Sequence, residues 1–261
     1  MSRLAEATTG PAAGSPKRSR SGGAAVLQGV ALALGLVLLV GGFATIALDY
    51  RPYSVPTGSM EPTIGAGDTV LARAGGGSGV RRGDVVVFHD QTWGSDKLVK
   101  RVVGVGGDKV VCCDAQGQLT VNGTSIDEPY LQHTVLPGIG AALASSTTTA
   151  ATPFSVTVPP GRLFVLGDNR VGSLDSRVHL DELSGTVATS DVLGRVEATV
   201  WPLPHAGLLA GTSAFDPLGG AGGDRNGPLE PAGYAMLVGA ALIVLLCLAD
   251  WVVGRARRLR R

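Results

Sequence analysis

The 261 residues carry 22 Lys and Arg against 21 Asp and Glu, a net charge of +1 that by itself implies no nucleic-acid partner. At 44% hydrophobic and 16% charged, the chain is too apolar for a disordered segment and more apolar than an ordinary soluble protein. Three cysteines cannot build a repeated CxxC framework, and none of the four histidines belongs to an HExxH pair, so structural zinc and zincin chemistry are excluded.

In chain order, residues 1–23 form a tail in which Arg3, Lys17, Arg18 and Arg20 face a single acid, Glu6. Residues 24–48 follow without a charge. These 25 residues exceed the roughly 20 that a membrane-spanning helix needs, and they also exceed the roughly 7–15 apolar residues of a cleavable signal peptide. A retained transmembrane helix is expected. Residues 50–205 show little helical periodicity. Instead, short β-branched runs bounded by turn residues recur at 69–72, 84–88, 98–105, 109–112, 119–121, 155–158, 163–166 and 194–200. They predict a mostly-β domain, with a smaller inserted β subdomain over about 109–160 interrupted by a surface excursion at 137–152.

The Gly- and Pro-rich stretch 206–233 reads as a linker. Residues 234–253 form a second predicted span, with Tyr234 and Trp251 at interfacial positions and Asp250 as its one acid. A basic tail, 254–261, closes the chain with Arg255, Arg257, Arg258, Arg260 and Arg261. Between the two basic tails, residues 24–253 hold 13 basic and 20 acidic groups. Positive flanks stay on the cytoplasmic side, so both termini are expected inside and the β domain outside.

Three segments carry groups that could react. In 55–64, Ser59 follows Gly58 between Pro56 and Pro62; this can be a stiffened loop presenting a nucleophile or an ordinary turn. In 97–104, Lys100 interrupts an apolar strand and shares a face with Val102 and Gly104. Pointing inward, it would be desolvated, its pKa would fall, and its neutral amine could act as a general base. Pointing outward, it would be a solvated or edge-protecting lysine. The third segment, 167–177, packs five charged or amide groups and two hydroxyls into eleven positions after the apolar run 163–166. That density exceeds what one turn requires and suits partners for a buried amine.

Together these segments resemble the type I signal peptidases, the membrane-bound Ser/Lys proteases. The blocks PTGSMEPTI, RRGDVVVF, KLVKRVVGVGGD, GDNRVGSLDSR and GRVEATVWP occur in the family's order behind an N-terminal anchor. The resemblance implies a signal-peptidase-like antiparallel β-sheet catalytic domain with the smaller inserted subdomain, flanked by two transmembrane helices. It implies Ser59 as nucleophile and Lys100, the lysine directly before Arg101, as general base, with Lys97 set aside. Thr57 would join the Ser59 backbone N–H in the oxyanion hole. The family more often has Ser there, and Thr adds a methyl and a stiffer χ1. Ser173 would orient the lysine, and Asp175 and Arg177 would brace the site. A polar pair is common in relatives where this chain has Val171 and Gly172.

The reaction so implied needs no metal or cofactor. Its partners would be signal peptides of secretory preproteins, cut after small residues (A-x-A), and the lipid bilayer of a bacterial cell membrane. Tyr53, Val55, Met60, Ile64, Leu98 and Val99 would lie near shallow substrate pockets, with plain core packing as the alternative for each. The substrate would add as a strand beside residues 98–100. Competing readings are a Ser/His/Asp enzyme using His179, a processor dedicated to one anchored protein, and an inactive membrane-tethered binding module. Cys112 and Cys113 can be two thiols or a vicinal disulfide.

Overall fold

A computed structural model describes residues 22–131, 153–219 and 227–259. The expectations for most of the N-terminal tail, for the excursion at 137–152, for linker residues 220–226 and for the last two residues lie outside these. The described residues fall into two compact units, a helical one formed by those up to 42 and from 234 on, and a second formed by those between 43 and 233.

In the helical unit, α1 (Gly22–Asp49) runs into the β unit and α2 (Leu229–Leu259) leaves it. Each contains a segment long and apolar enough to cross a membrane, Ala25–Asp49 and Leu229–Ala256, and only 11% and 6% of their apolar windows are buried. A core helix of a soluble domain would be covered by protein, whereas these leave Leu, Val and Phe side chains exposed along their length. Both therefore read as membrane spans. Close packing within the pair occurs at glycines: a methyl on Gly239 would lie 2.5 Å from the Gly35 carbonyl oxygen. The Gln28 amide also donates to Asp250.

The β unit begins with β1 (Tyr50–Ser54), β2 (Thr69–Ala74), β3 (Val85–Phe88) and β4 (Leu98–Val105). A second sheet follows in β5 (Lys109–Cys112), β6 (Leu119–Val121), β7 (Thr124–Ser125) and β8 (Phe154–Thr157). The chain then returns through β9 (Arg162–Leu166), β10 (Thr186–Ala188), β11 (Val192–Trp201) and β12 (Gly207–Leu208). The main sheet has the order β1-β2-β11-β3-β4-β9-β10, with β12 added to β11, and it does not close. The small sheet has the order β7-β6-β5-β8. Every pairing is antiparallel.

The apolar runs explain the layering. All four residues of β3 are buried, which suits a central strand covered on both faces. Val86, Phe88, Val102, Leu163 and Val165 form one core cluster, and Val55, Met60, Ile64, Val70, Val87 and Val99 form another. A third joins the small sheet to Phe164, Leu166 and Phe215.

β1 was not evident in the sequence because Pro52 breaks its pattern. It is an edge strand paired only with β2, where proline is tolerated. Part of the stretch expected as a linker is also built into the domain. Gly207 and Leu208 pair with Thr199 and Ala198 of β11, and Phe215 is 2% exposed in the core. Burying one aromatic side chain there is worth about 1.5–3 kcal/mol, enough to hold a Gly-rich strap against the sheet. A disulfide joins Cys112 to Cys113.

Candidate active site

The loop after β1 is fixed at both ends before it presents any reactive group. Val55 N–H donates to the Asp68 carbonyl and Gly67 N–H to the Val55 carbonyl, both at 2.8 Å. Met60 and Ile64 are fully buried, and the Ile64 N–H bonds the Met60 carbonyl at 3.0 Å. The loop is thus bolted into the core on either side of Ser59, whose side chain cannot wander with the backbone.

Lys100 reaches Ser59 from β4. Its Nζ lies 2.7 Å from Ser59 Oγ, and the two residues are 3% and 6% exposed. Lys100 sits opposite Val86 in β4, which β3 flanks along 98–101 and β9 flanks from Arg101 onward. Burial lowers its pKa from 10.5 to about 8; Asp175 and Asp168 pull it back upward and Arg177 adds to the fall. A buried amine of this kind, touching an alcohol, can accept the alcohol's proton near neutral pH.

The segment after β9 supplies the surroundings. Asp175, fully buried, accepts from the Gly167 N–H at 2.9 Å and from Arg177 Nε and Nη2, each at 2.8 Å. Burial raises the Asp175 pKa, but its bonds to Arg177 and Gly167 outweigh this and hold the carboxyl below the usual range. Arg177 also donates to the Arg170 carbonyl at 2.8 Å. Asp168 forms a two-pronged ion pair with Arg101, at 2.8 and 2.6 Å, and accepts from Thr63 at 2.5 Å. Arg101 stacks on Tyr130 at 4.1 Å. Arg170 pairs with Glu128, both nearly inaccessible. The Asp168–Arg101 and Arg170–Glu128 pairs tie the segment 167–177 to other parts of the domain, and removing one partner would strand a charge at a cost of about 3–5 kcal/mol.

The sequence-expected residues do not all sit as the resemblance implies. Thr57 is exposed, with Oγ1 3.4 Å from Ser59 Oγ. Ser173 Oγ is buried without a hydrogen-bond partner, the lysine included. Val55, Met60, Ile64 and Val99 are buried in the core beneath the loop, while Tyr53 and Leu98 are partly exposed. Lys97 lies over the Tyr53 ring at 5.3 Å. His179 stacks on Trp93 at 4.3 Å and lies 3.5 Å from Glu182, so its ring is engaged away from Ser59.

Sequence reasoning missed Asn169, which bonds the Gly58 and Ser59 carbonyls at 3.1 Å each, and Gly167, which packs against Ser59 and Ser173. Their one local signal was the polar density of 167–177. Among the described residues, no cluster of three or more His, Cys, Asp or Glu could hold a metal ion.

A family profile described as "Signal peptidase, peptidase S26" matches residues 26–201, covering most of the first span, the Ser59 loop, β4 and β11. The chain belongs to the signal peptidase S26 family. Signal peptidase I of Mycobacterium tuberculosis (strain CDC 1551 / Oshkosh) is 34% identical over 243 residues, covering 74% of this chain and 76% of its own. Signal peptidase IB of Staphylococcus aureus (strain COL) is 35% identical over 179 residues, covering 66% of this chain and 86% of its own. A crystal structure of a signal peptidase I from Enterococcus faecalis V583 is 30% identical, covers 44% of this chain and 95% of that one, and superposes with a TM-score of 0.34. As a member of the signal peptidase S26 family, the protein is a serine endopeptidase, and its two apolar helices fit a membrane-anchored enzyme.

Proposed function

We propose that Ser59 and Lys100 form the catalytic dyad with which this signal peptidase removes signal peptides from preproteins, cutting after small residues. The carrying observation is the 2.7 Å contact between a buried lysine amine and a buried serine hydroxyl. Neutral Lys100 takes the Ser59 proton as Oγ attacks the scissile carbonyl. The tetrahedral oxyanion is met by the Ser59 N–H and the Thr57 hydroxyl, each such donor being worth about 3 kcal/mol in comparable sites. Protonated Lys100 passes its proton to the departing amine, leaving an ester on Ser59. A water, deprotonated by the same amine, then hydrolyses that ester. Asp175 and Arg177 hold the 167–177 segment against the lysine.

The substrate's place is suggested by an open edge. β3 pairs with β4 over 98–101, whereas β9 joins the opposite side of β4 only from Arg101 onward. Leu98, Val99 and Lys100 therefore offer backbone groups to an extended peptide, which would lie beside the dyad. Tyr53 and Leu98 can touch its side chains, while Val55, Met60, Ile64 and Val99 shape the floor from within the core. A floor packed this tightly has no room for large side chains, which fits the preference for Ala. The basic flanks of both spans support a topology with the termini in the cytoplasm and the β unit outside; a reporter fused after Arg261 should read as cytoplasmic, and an exterior signal would refute that topology.

Purified full-length protein incubated with a preprotein bearing an A-x-A site should release the mature chain at that site, and Ser59→Ala should release none. Absence of cleavage by the parent protein, or equal cleavage by both, would remove the proposed role.

A further inference from the structure

The two peptide groups flanking Ser59 are both gripped by one residue from 110 positions away. The Gly58 carbonyl accepts from Asn169 Nδ2 at 3.1 Å and also from the Glu61 N–H at 3.2 Å. The Ser59 carbonyl accepts from the Asn169 backbone N–H at 3.1 Å. The orientation of the Asn169 amide is set by its other end, because Oδ1 accepts from the Gly172 N–H at 3.1 Å. Flipping the amide would turn its oxygen toward a carbonyl and its NH₂ toward an N–H, losing both bonds.

The Gly58–Ser59 peptide is trans. In a planar trans peptide the C=O and N–H point in opposite directions. Drawing the Gly58 carbonyl toward Asn169 therefore aims the Ser59 N–H away from the 167–177 segment, with its direction fixed by the rigid plane. We propose that Asn169 is a positioning residue that aims the Ser59 N–H as an oxyanion donor. This inference rests on Ser59 being the nucleophile. It divides the labour within 167–177: Asp175 and Arg177 serve the amine, and Asn169 serves the peptide that meets the developing negative charge. Asn169 acts through backbone, so the proton affinity of Lys100 stays as it is.

The test uses full-length protein in detergent and a fluorogenic peptide with an A-x-A site. Asn169→Asp keeps the shape and the acceptor for Gly172 but replaces the donor to Gly58 with an oxygen; Asn169→Ala removes both. Both variants should lower kcat about 10- to 100-fold, part of what loss of a whole oxyanion donor costs, with KM within about twofold of the parent. Affinity for a substrate-like peptide aldehyde, which forms a tetrahedral adduct with the serine, should fall in step with kcat. The acid limb of the pH profile, recorded on Asn169→Ala to avoid the added carboxylate, should stay in place.

A kcat within threefold of the parent in Asn169→Asp would overturn the proposal, as would a displaced acid limb, which would place its action on the amine. Failure of both variants to fold would assign Asn169 to stability alone and overturn it too. Activity surviving Ser59→Ala in the parent background would instead sink the reading of the nucleophile, whatever Asn169 does.

Discussion

Lys100→Met should lower kcat/KM by at least about 10³-fold while leaving a folded protein. Met matches the lysine stem in length, so the volume in β4 is kept. The acids near the amine are not stranded by its removal: Asp168 keeps Arg101, and Asp175 keeps Arg177. The loss is therefore chemical, that of a general base worth about 10²–10⁴-fold together with the proton donor for the leaving amine.

The same variant should melt at a higher temperature. Burial lowers the folded-state pKa of Lys100 to about 8 from 10.5, a difference of roughly 3 kcal/mol between its charged and neutral forms. Below pH 8 the amine is charged in both the folded and unfolded states, and the folded state bears the full penalty. Between about 8 and 10.5 the folded state holds fewer protons, so its stability rises with pH. At pH 7 the Met variant escapes the penalty, and a gain of up to about 3 kcal/mol is expected. Substantial residual turnover would point to another base, and unchanged or lowered stability would contradict the cost of burying the amine.

Gly167→Ala is the second change with a large expected effect. A methyl at this position would lie 2.2 Å from Ser173 Oγ and 2.5 Å from the Ser59 carbonyl oxygen. The serine hydroxyl could rotate aside, but the carbonyl belongs to the backbone of Ser59 itself. Relief must come from moving the 55–68 loop or the 167–177 segment, and either motion breaks the alignment of Ser59 with Lys100. A displacement near 1 Å costs about 10²-fold in rate, so kcat/KM should fall by about 10²-fold or more. The check is kcat/KM alongside a thermal melt. A variant near parent activity would show that the packing at Gly167 is loose and that Ser59 is not held as described.

The sequence made the interior strands plain because they are short β-branched runs bounded by turn residues. Residues 98–105, 109–112 and 119–121 coincide with β4, β5 and β6. It also singled out Ser59 and Lys100, but through the resemblance: taken singly, a serine after glycine or a lysine in an apolar strand has ordinary explanations. What separates a buried amine from a solvated lysine is its cover by other segments, Ser59 from 41 positions earlier among them, and no local pattern fixes that packing. Edge and strap elements were hidden for a different reason. Pro52 in β1 and the glycines around β12 carry turn-like composition into residues that pair through neighbours already in place.

The apolar residues flanking the site pose a further ambiguity. Met60 and Ile64 are apolar whether they line a pocket or fill a core, and only burial assigns them to the core. Asn169 and Gly167 depend on contacts with residues more than 100 positions earlier. No local pattern could show that one amide holds the peptides on both sides of Ser59.

The most direct measurement is the titration of Lys100 itself, followed by NMR of lysine side chains labelled at Cε and Nζ in the full-length protein and assigned by the signal missing from Lys100→Met. A midpoint near pH 8 is expected, accompanied by kcat/KM that falls tenfold for each pH unit below it. A midpoint near 10.5, the value of a solvated lysine, would mean that the amine stays charged at neutral pH and cannot take the Ser59 proton.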